Sequence, residues 1–223
     1  MLNTLSIFED RKEEVSFYFS IVEKIDINPL DKSIVKENSK LVKIMKSNII
    51  LMLYNLVEAC TVSGILEIYE NLKSENCSYN SVICEIQKLW TKYQVKQIYG
   101  PTTEKSTYEN RIGEIINSIL ESHPVVLTKS SLDISGDLDA RKIKKLCDSH
   151  RIRYQLPVKG ESLQMIKRER NNLAHGDVSF SDCAKDISIS QLRDIIEEVF
   201  SFMDSILEGM KVYYDNKGFK SRT

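Results

Sequence analysis

The sequence predicts an all-α protein, a bundle of antiparallel helices that folds as one domain. Apolar residues recur at spacings of three, four and seven through most of the 223 residues, which is the pattern of amphipathic helices. The chain has only 8 glycines and 4 prolines, so long uninterrupted helices are allowed. Its 42% hydrophobic and 28% charged residues are typical of a folded protein and argue against disorder.

Two long helices are predicted at the start of the chain. The first covers about residues 4–26 and ends before Asn28-Pro29. Its apolar stripe consists of Phe8, Val15, Phe19, Val22 and Ile25. The second runs from Ser33 or Asn38 to Lys73. Because residues 44–56 are apolar on nearly all sides, we expect this helix to be the central element of the bundle.

Two further helices are predicted before residue 124. Ser78 or Asn80 is the expected cap of the third helix, which carries Trp90 and ends before Gly100-Pro101. The fourth helix ends before His123-Pro124, and its apolar residues are Tyr108, Ile112, Ile115, Ile116 and Ile119. Residues 125–136 have no helical periodicity and begin with a short β-prone run.

Three helices are predicted in the remainder. A short basic helix spans about residues 138–149, and the next begins near Glu161 and ends at His175-Gly176, where glycine favours termination. The final helix opens with a capping box over residues 188–191. Its stripe is Leu192, Ile195, Ile196, Val199, Met203, Ile206, Leu207 and Met210. We therefore expect one domain over residues 1–215, with 125–160 as a candidate insertion and 216–223 as a flexible basic tail.

Composition also restricts the class of protein. Five cysteines, no two with CxxC spacing, favour a reducing cytoplasm over a disulfide framework or a zinc site. The N-terminus lacks the basic stretch followed by an apolar run that is typical of a secretory leader, so no such leader is expected. Asn55 and Glu58 interrupt the most apolar stretch well short of the roughly 18 residues of a membrane span. We expect a cytoplasmic protein with no membrane association, no cofactor and no metal.

The net charge of −1 hides an asymmetry along the chain. Between Arg141 and Arg170 the sequence has ten basic and three acidic residues, a net charge of +7, and the remainder carries −8. Such a segment is either a site for a polyanion or the solvated face of a helix.

The basic segment leads directly into the run from Glu169 to Gly176, in which Arg170 precedes His175 by five residues. Guanidinium binds phosphate with a planar fork of donors, and imidazole exchanges a proton near neutral pH. Together they are suited to grip a phosphodiester and move a proton without a metal. The alternative is that both residues stabilise a helix C-terminus through its dipole.

The sequence contains no motif for the other common types of catalytic or nucleotide-binding site. It contains no P-loop, no dinucleotide-binding glycine pattern, no zinc-protease pair and no nucleophile motif around serine or cysteine. The other two histidines, His123 and His150, are far apart and are expected at the surface. Trp90 and the ten tyrosines are expected in the core or at its rim rather than in a base-stacking platform.

Helix geometry leaves the relation between Arg170 and His175 open. Residues five apart lie about 140° apart around an ideal helix and do not share a face. Either the helix loosens after Arg170, or the long arginine side chain wraps round, or the site lies between two protomers related by a two-fold axis.

Arg-Asn-x-x-x-His near the end of a helix resembles the signature of the HEPN superfamily. The run from Arg170 to Gly176, with Asn171 and Asn172 after the arginine, is similar to that of the bacterial MAE-type HEPN proteins. Two other segments are similar to the same group, NLVEA at 55–59 and SGDLDARKI at 135–143. Together with the final helix, the resemblance covers most of the chain.

The resemblance implies a HEPN-type α-helical homodimer with the motif at its interface. Many relatives are metal-independent RNA endonucleases that act as toxins or in defence against phage, so the implied substrate is RNA, with tRNA among the candidates. An antitoxin or a neighbouring defence protein is the implied partner. The alternative is a non-catalytic module that binds a partner protein or a nucleotide within a defence system.

The candidate site residues follow from the motif and from the residue types around it. Arg170 and His175 would be the catalytic pair, and Asn171 and Asn172 would orient the imidazole or donate to phosphate. Glu58 is a candidate partner of Arg170, with a structural ion pair or plain exposure as the alternatives. The candidate RNA contacts, which are otherwise only solvated charges, are Lys167, Arg168, Arg141 and Lys142.

Overall fold

The computed structural model describes residues 1–27, 35–98, 105–132, 134 and 136–221. These residues form eight α-helices and no β-strand, so the all-α prediction is confirmed. The helices are α1 (Leu2–Ile27), α2 (Val35–Ser74), α3 (Cys84–Ile98), α4 (Lys105–Leu120), α5 (Ala140–Ser149), α6 (Ser162–His175), α7 (Phe180–Cys183) and α8 (Ile189–Asp215). The predicted helix breaks at Asn28-Pro29 and Gly100-Pro101, the predicted start at Ser33 and the segment position Ser135 lie outside the described residues.

Helix α2 is the central element, as its sequence predicts. It packs against α1, α6, α7 and α8. Ile49, Leu56, Tyr54 and Ile65 are buried, and their positions cover about half of the circumference of the helix. By length and hydropathy alone, residues 37–74 would also qualify as a membrane span, and 56% of their most apolar stretch is buried within the protein. Packing, rather than composition, identifies α2 as the core helix.

Polar contacts fix the directions of the three longest helices. Thr4 and Tyr18 of α1 contact Glu67 and Asn48 of α2, respectively, at 2.7 and 3.2 Å, so the two helices run antiparallel. At the other side of α2, Lys46 donates to the Ile187 carbonyl just before α8. Asn71 donates to the Tyr214 carbonyl near its end at 3.1 Å. Helices α2 and α8 therefore run in the same direction, with α1 antiparallel to both.

The start of α8 confirms the predicted capping box. The Ser188 hydroxyl accepts from the Gln191 N–H at 3.1 Å, and the Gln191 side chain accepts from the Ser188 N–H at 2.8 Å. All residues of the predicted stripe are buried except the half-buried Ile195. Farther along, a Cβ on Gly209 would lie 2.4 Å from the Arg153 carbonyl, so glycine is needed for the segment after α5 to cross α8.

The candidate insertion is part of the same core. Ile143, Cys147 and Ile152 are buried in one apolar cluster with the residues of α1, α2 and α8. Helix α5 packs against α3, and its start is capped by Asp139, whose side chain accepts from the Lys142 N–H at 2.9 Å. Residues 136–160 therefore pack onto the bundle rather than forming a separate unit.

The tail departs from the expectation of a flexible end over residues 216–221. Phe219 is completely buried against Tyr213, with ring centroids 6.4 Å apart. Lys217 and Lys220 both pair with Glu75 at 2.6 Å. The basic residues of the tail, which was predicted to be flexible, are thus held by a carboxylate just after the end of α2.

The same contacts explain why α3 begins later than Ser78 or Asn80. Residues 79–81 form a single 3₁₀ turn, Ile83 donates to the Phe219 carbonyl at 2.9 Å, and Val82 bridges to Lys220. This pairing holds residue 82 in an extended conformation, so α3 starts only at Cys84.

Helix α7 was not predicted, because four residues are too few to show helical periodicity. It is held by a tertiary contact, in which the Ser47 hydroxyl of α2 donates to the Phe180 carbonyl at 2.6 Å.

Phe219→Ala is expected to lower the free energy of unfolding by about 3–5 kcal/mol, because it leaves a cavity in the core. The measurement is urea unfolding followed by circular dichroism. Phe17→Ala is the matched control, since Phe17 is 69% exposed and its loss should change stability by less than about 0.5 kcal/mol. Equal effects of the two substitutions would contradict the packed position of the tail.

Candidate functional site

Helix α6 has one face buried against the bundle and one face exposed to solvent. The two motif residues lie on different faces. Leu163 and Ile166 are buried, and Arg170 continues that side at the next helical spacings of four and seven. Arg168 and His175 are exposed and lie seven residues apart, which puts them on nearly the same line along the helix. The arginine of the motif therefore faces the bundle, and the histidine faces solvent.

Arg170 is held in place by three groups. Its Cζ lies 4.7 Å from the centroid of the Tyr54 ring on α2, within cation–π range. Its Nη1 donates to the Gly136 carbonyl at 3.3 Å and to Asn171 Oδ1 at 3.0 Å. Gly136 adopts a φ of 55°, in the left-handed region that glycine enters without strain.

The Tyr54 ring is the surface on which the Arg170 guanidinium packs. It is 1% exposed, and its hydroxyl accepts from the Leu138 N–H at 3.3 Å. Burial raises the pKa of Tyr54, so the ring carries a neutral phenol beneath the guanidinium. The sequence pattern assigned Tyr54 to the core and missed this role, although it directly precedes the NLVEA segment that resembles the family.

Glu58 lies one turn after Tyr54 and is half-buried. No ion pair joins it to Arg170 in the part of the chain that the structure describes. Its charge acts on Tyr54, where it helps to raise the pKa of the phenol, while Arg170 opposes that effect. Glu58 thus lies near Tyr54, on which Arg170 packs, without forming an ion pair with the guanidinium.

His175 is the last residue of α6, and its side chain is exposed. Gly176 follows with a φ of 76°, and the Asp177 N–H donates to the Asn172 carbonyl at 2.8 Å. The Gly176 N–H donates to the Leu173 carbonyl at 3.2 Å, which completes a Schellman stop. Among the described residues, no hydrogen bond or ion pair engages the imidazole.

Two of the three relations between Arg170 and His175 are not observed. Helix α6 remains regular through His175, so it does not loosen after Arg170. The arginine side chain reaches towards Tyr54 and Gly136, not round the helix towards the imidazole. Within one chain the two residues stay on different sides of α6, separated by about 7.5 Å along its axis.

The two asparagines of the motif make different contacts. Asn171 accepts from the guanidinium of Arg170, as described above. The Asn172 amide lies 3.5 Å from Glu169, whose carboxylate also pairs with Arg168 at 2.9 Å. Asn171 therefore supports Arg170, and Asn172 belongs to a neighbouring polar cluster.

Ion pairs divide the basic segment into two groups. Lys167 pairs with Asp137 at 3.2 Å and Asp139 at 2.8 Å, and Lys142 also pairs with Asp137. Bonds from Lys142 and Lys167 lower the pKa of Asp137. Arg168 pairs with Glu169. Three of the four candidate RNA contacts, Lys142, Lys167 and Arg168, are therefore paired with carboxylates. Arg141 has no carboxylate partner among the described residues, and it shares one face of α5 with Lys144 and Lys145.

The start of α6 already carries its own anion. Glu198 of α8 accepts from the backbone N–H groups of Glu161 and Ser162 at 2.8 and 3.2 Å, and the Ser162 hydroxyl bonds to it as well. A carboxylate thus occupies the positive end of the helix dipole, where a phosphate would otherwise be stabilised.

His150 corrects the expectation of a surface residue, because it is completely buried. Its Nε2 bonds to the Tyr69 hydroxyl at 2.8 Å and its Nδ1 to the Leu146 carbonyl at 2.7 Å. These partners come from α2 and α5, so His150 joins the two helices. His123 is exposed as expected and lies 3.1 Å from Glu121.

The described ranges contain no cluster of side chains suited to hold a metal ion. No group of three or more histidine, cysteine, aspartate or glutamate side chains converges there.

Comparison with protein families finds a match over nearly the whole chain. The HEPN_MAE_28990-like HEPN family model matches residues 3–219, nearly the whole chain. No curated protein and no solved structure matches.

The stability of this fold should depend on pH through His150. Burial lowers the pKa of His150 from 6.5 to about 4. The unfolded chain takes up this proton as the pH falls below 6.5, whereas the folded chain resists it until about pH 4, so stability is lost within that window. Wild type should lose about 2 kcal/mol between pH 7 and 5 through this group.

Urea unfolding at the two pH values measures the effect. His150→Gln should reduce the loss by about 2 kcal/mol, and the exposed control His123→Gln should leave it unchanged. The same pH dependence in wild type and His150→Gln would show that His150 does not titrate in this way.

Proposed function

The chain belongs to the HEPN_MAE_28990-like HEPN family, and on that basis we propose that it is a metal-independent RNA endonuclease working as a homodimer. The observation that carries the proposal is the state of the two motif residues. Arg170 is pre-positioned on Tyr54, while His175 is exposed and without a partner among the described residues. One residue is fixed and the other is available to substrate.

The residue types suit cleavage of RNA rather than DNA. RNA supplies its own nucleophile, the 2′-OH, and a neutral His175 accepts its proton as a general base. Arg170 stabilises the charge that builds on the non-bridging phosphate oxygens. A second imidazole protonates the leaving 5′-oxygen, and the product carries a 2′,3′-cyclic phosphate. DNA lacks the 2′-OH and is spared.

A second protomer resolves the separation of Arg170 and His175 around α6. A two-fold axis beside the exposed end of the helix brings two imidazoles and two guanidinium groups into one cleft. This arrangement provides both the base and the acid from identical residues. It also fits the absence of a hydrogen bond or ion pair to the His175 imidazole within the described part of its own chain.

RNA would approach over α5 and the start of α6. A groove of about 640 Å³ between these helices is lined by Arg141, Lys144 and Lys145 of α5, and also by the carboxylates of Asp139, Asp148 and Glu161. Lys167 also lines it, although its charge is offset by Asp137 and Asp139. The three α5 cations, rather than the ion-paired Lys142, Lys167 and Arg168, are therefore proposed as the main phosphate contacts.

In the cell, such an enzyme would be a cytoplasmic toxin or an effector of phage defence. Its substrate class is RNA, with tRNA as one candidate. Uncontrolled cleavage would arrest growth, so the proposal includes an antitoxin or a neighbouring defence protein as a regulator.

One observation favours a second candidate, a non-catalytic module that binds a partner protein or a nucleotide. Tyr54, Gly136 and Asn171 already engage Arg170, which is what a purely structural arginine would show. This candidate predicts binding without cleavage and no growth arrest on expression.

Purified protein is expected to cleave total RNA in the presence of EDTA. His175→Ala should reduce the rate about 10²–10⁴-fold by removing proton transfer. Arg170→Lys, which keeps a positive charge above Tyr54, should reduce it about 10²–10³-fold by removing the bidentate fork. The measurement is gel analysis of a labelled RNA, with the product end tested for a cyclic phosphate.

His123→Ala and Arg111→Ala serve as matched controls, because both side chains are exposed and lie outside the motif. They should cleave like wild type. Intact RNA with wild-type protein, or equal cleavage by His175→Ala, would favour the non-catalytic candidate.

Cleavage should also depend on dimer formation. In light scattering, the active species should have twice the 25.7 kDa mass of the chain. On dilution, the activity per chain should fall along with the dimer fraction, because each cleft takes residues from both protomers. Constant activity per chain in a purely monomeric solution would contradict the shared site.

A further inference from the structure

Residues 136–139, which we call the pre-α5 segment, contact both Arg170 on α6 and Tyr54 on α2. The Gly136 carbonyl accepts from Arg170 Nη1 at 3.3 Å, and the Leu138 N–H donates to the Tyr54 hydroxyl at 3.3 Å. The segment therefore touches the guanidinium as well as the ring on which the guanidinium packs. Leu138 is only 3% exposed, so its end of this arrangement is fixed in the core.

The other two residues of the pre-α5 segment are aspartates, and both pair with Lys167. The Nζ atom of Lys167 lies 2.8 Å from Asp139 Oδ2 and 3.2 Å from Asp137 Oδ1. The side chains of Lys167 and Asp139 are 18% and 7% exposed, so water and salt screen this contact less than one at the surface. The bond to Asp139 raises the pKa of Lys167, which keeps the ammonium charged.

Lys167 and Arg170 act on this segment from the same helix. They are three residues apart on α6, a spacing that places them on one face in successive turns. The Gly136 carbonyl that Arg170 contacts belongs to the planar peptide unit that it shares with Asp137, so fixing Asp137 restricts the direction of that carbonyl. The ion pairs of Lys167 therefore bear directly on the acceptor of the Arg170 bond.

The contacts of the pre-α5 segment with α5 cannot replace those of Lys167. Lys142 pairs with Asp137, and the Lys142 N–H donates to Asp139 at 2.9 Å. Both contacts join the segment to the helix that directly follows it, so they shape its turn but do not fix its position relative to α6. Lys167 is the α6 side chain that pairs with these carboxylates.

We propose that Lys167 is a positioning residue, which holds the pre-α5 segment against α6 so that the Gly136 carbonyl orients the Arg170 guanidinium. This inference rests on the proposed ribonuclease function and gives Lys167 a role there other than contact with RNA. Two carboxylates already engage its ammonium, which leaves little charge to attract a phosphate. A misplacement of about 1 Å in a catalytic group can lower a rate about a hundredfold, so the direction of the guanidinium matters.

Steady-state cleavage of a labelled RNA tests this role. Lys167→Met removes the charge and keeps the length of the side chain, and it should lower kcat about 10–100-fold while KM changes by less than about twofold. Lys167→Arg restores the charge and should recover most of kcat. Lys88→Met is the matched control, because Lys88 is exposed on α3 and outside these contacts, and it should behave like wild type.

Coupling to Arg170 separates positioning from an independent role. Arg170→Lys has already lost the guanidinium, so adding Lys167→Met should lower kcat by less than about a further twofold. Two losses that multiply would show that Lys167 does not act through Arg170. Lys144→Met gives the contrast, because Lys144 is proposed to contact phosphate, and its loss should raise KM and leave kcat unchanged.

NMR of isotope-labelled arginine side chains tests the same role without RNA. The Arg170 Nε–H signal is identified by its absence in Arg170→Lys. In Lys167→Met this signal should move towards that of a solvent-exposed arginine, whereas in Lys88→Met it should stay in place. Thermal unfolding checks that each variant remains folded.

Three outcomes with folded Lys167→Met protein would overturn the proposal. They are an unchanged kcat, a raised KM with kcat retained, which would make Lys167 an RNA contact, and an unchanged Arg170 signal. RNA left intact by wild type would instead contradict the proposed function. The NMR comparison would then decide by itself whether Lys167 positions the guanidinium.

Discussion

The whole architecture depends on the need to cover α2. The middle of this forty-residue helix, residues 44–56, is apolar on nearly all sides and cannot stay exposed to water, so it requires neighbouring helices. α1, α6, α7 and α8 supply them, and α1, α6 and α8 turn buried apolar residues inwards. Polar contacts then fix the directions, and those of Lys46 and Asn71 with the two ends of α8 give α2 and α8 their parallel course. The short α7 is held against α2 by the hydrogen bond from the buried Ser47 hydroxyl to the Phe180 carbonyl.

Covering α2 also determines what the Arg170–His175 motif can do. The stripe that turns α6 towards α2 includes Arg170, so the guanidinium ends on Tyr54. The period of the helix then sends His175 outwards, five residues later. Leu138 belongs to the same arrangement, because its N–H donates to the Tyr54 hydroxyl beneath the guanidinium.

Sequence patterns predicted what local chemistry decides. The stripe of α1, the capping box of α8 and the glycine stop of α6 each depend on residues close together in the chain, and each is observed. Phe219 and His150 were misplaced because their environments are non-local. Phe219 packs beside a segment more than a hundred residues earlier, and His150 bonds to Tyr69, eighty-one positions away. A polar or basic neighbourhood in sequence says nothing about such partners.

The candidate site shows the same division. Arg170 and His175 stand out because their types and spacing are local. Tyr54 and Gly136, which hold the guanidinium, lie beside and within the two other segments that resemble the family, but nothing in the sequence links either of them to Arg170. The carboxylates that neutralise Lys167 lie about thirty residues before it, so a count of charges along the chain overestimated the available positive charge.

The pairing of Val82 with Lys220 has a consequence for biosynthesis. A chain made from its N-terminus displays α2 and the start of α3 long before residues 219–221 have been made. Until then the cleft that Phe219 fills stays open, and its apolar lining is a target for chaperones and for self-association. Closing a loop of this length is also entropically slow compared with forming the helices. The molecule is thus expected to reach its working shape only after residues 219–221 have been made.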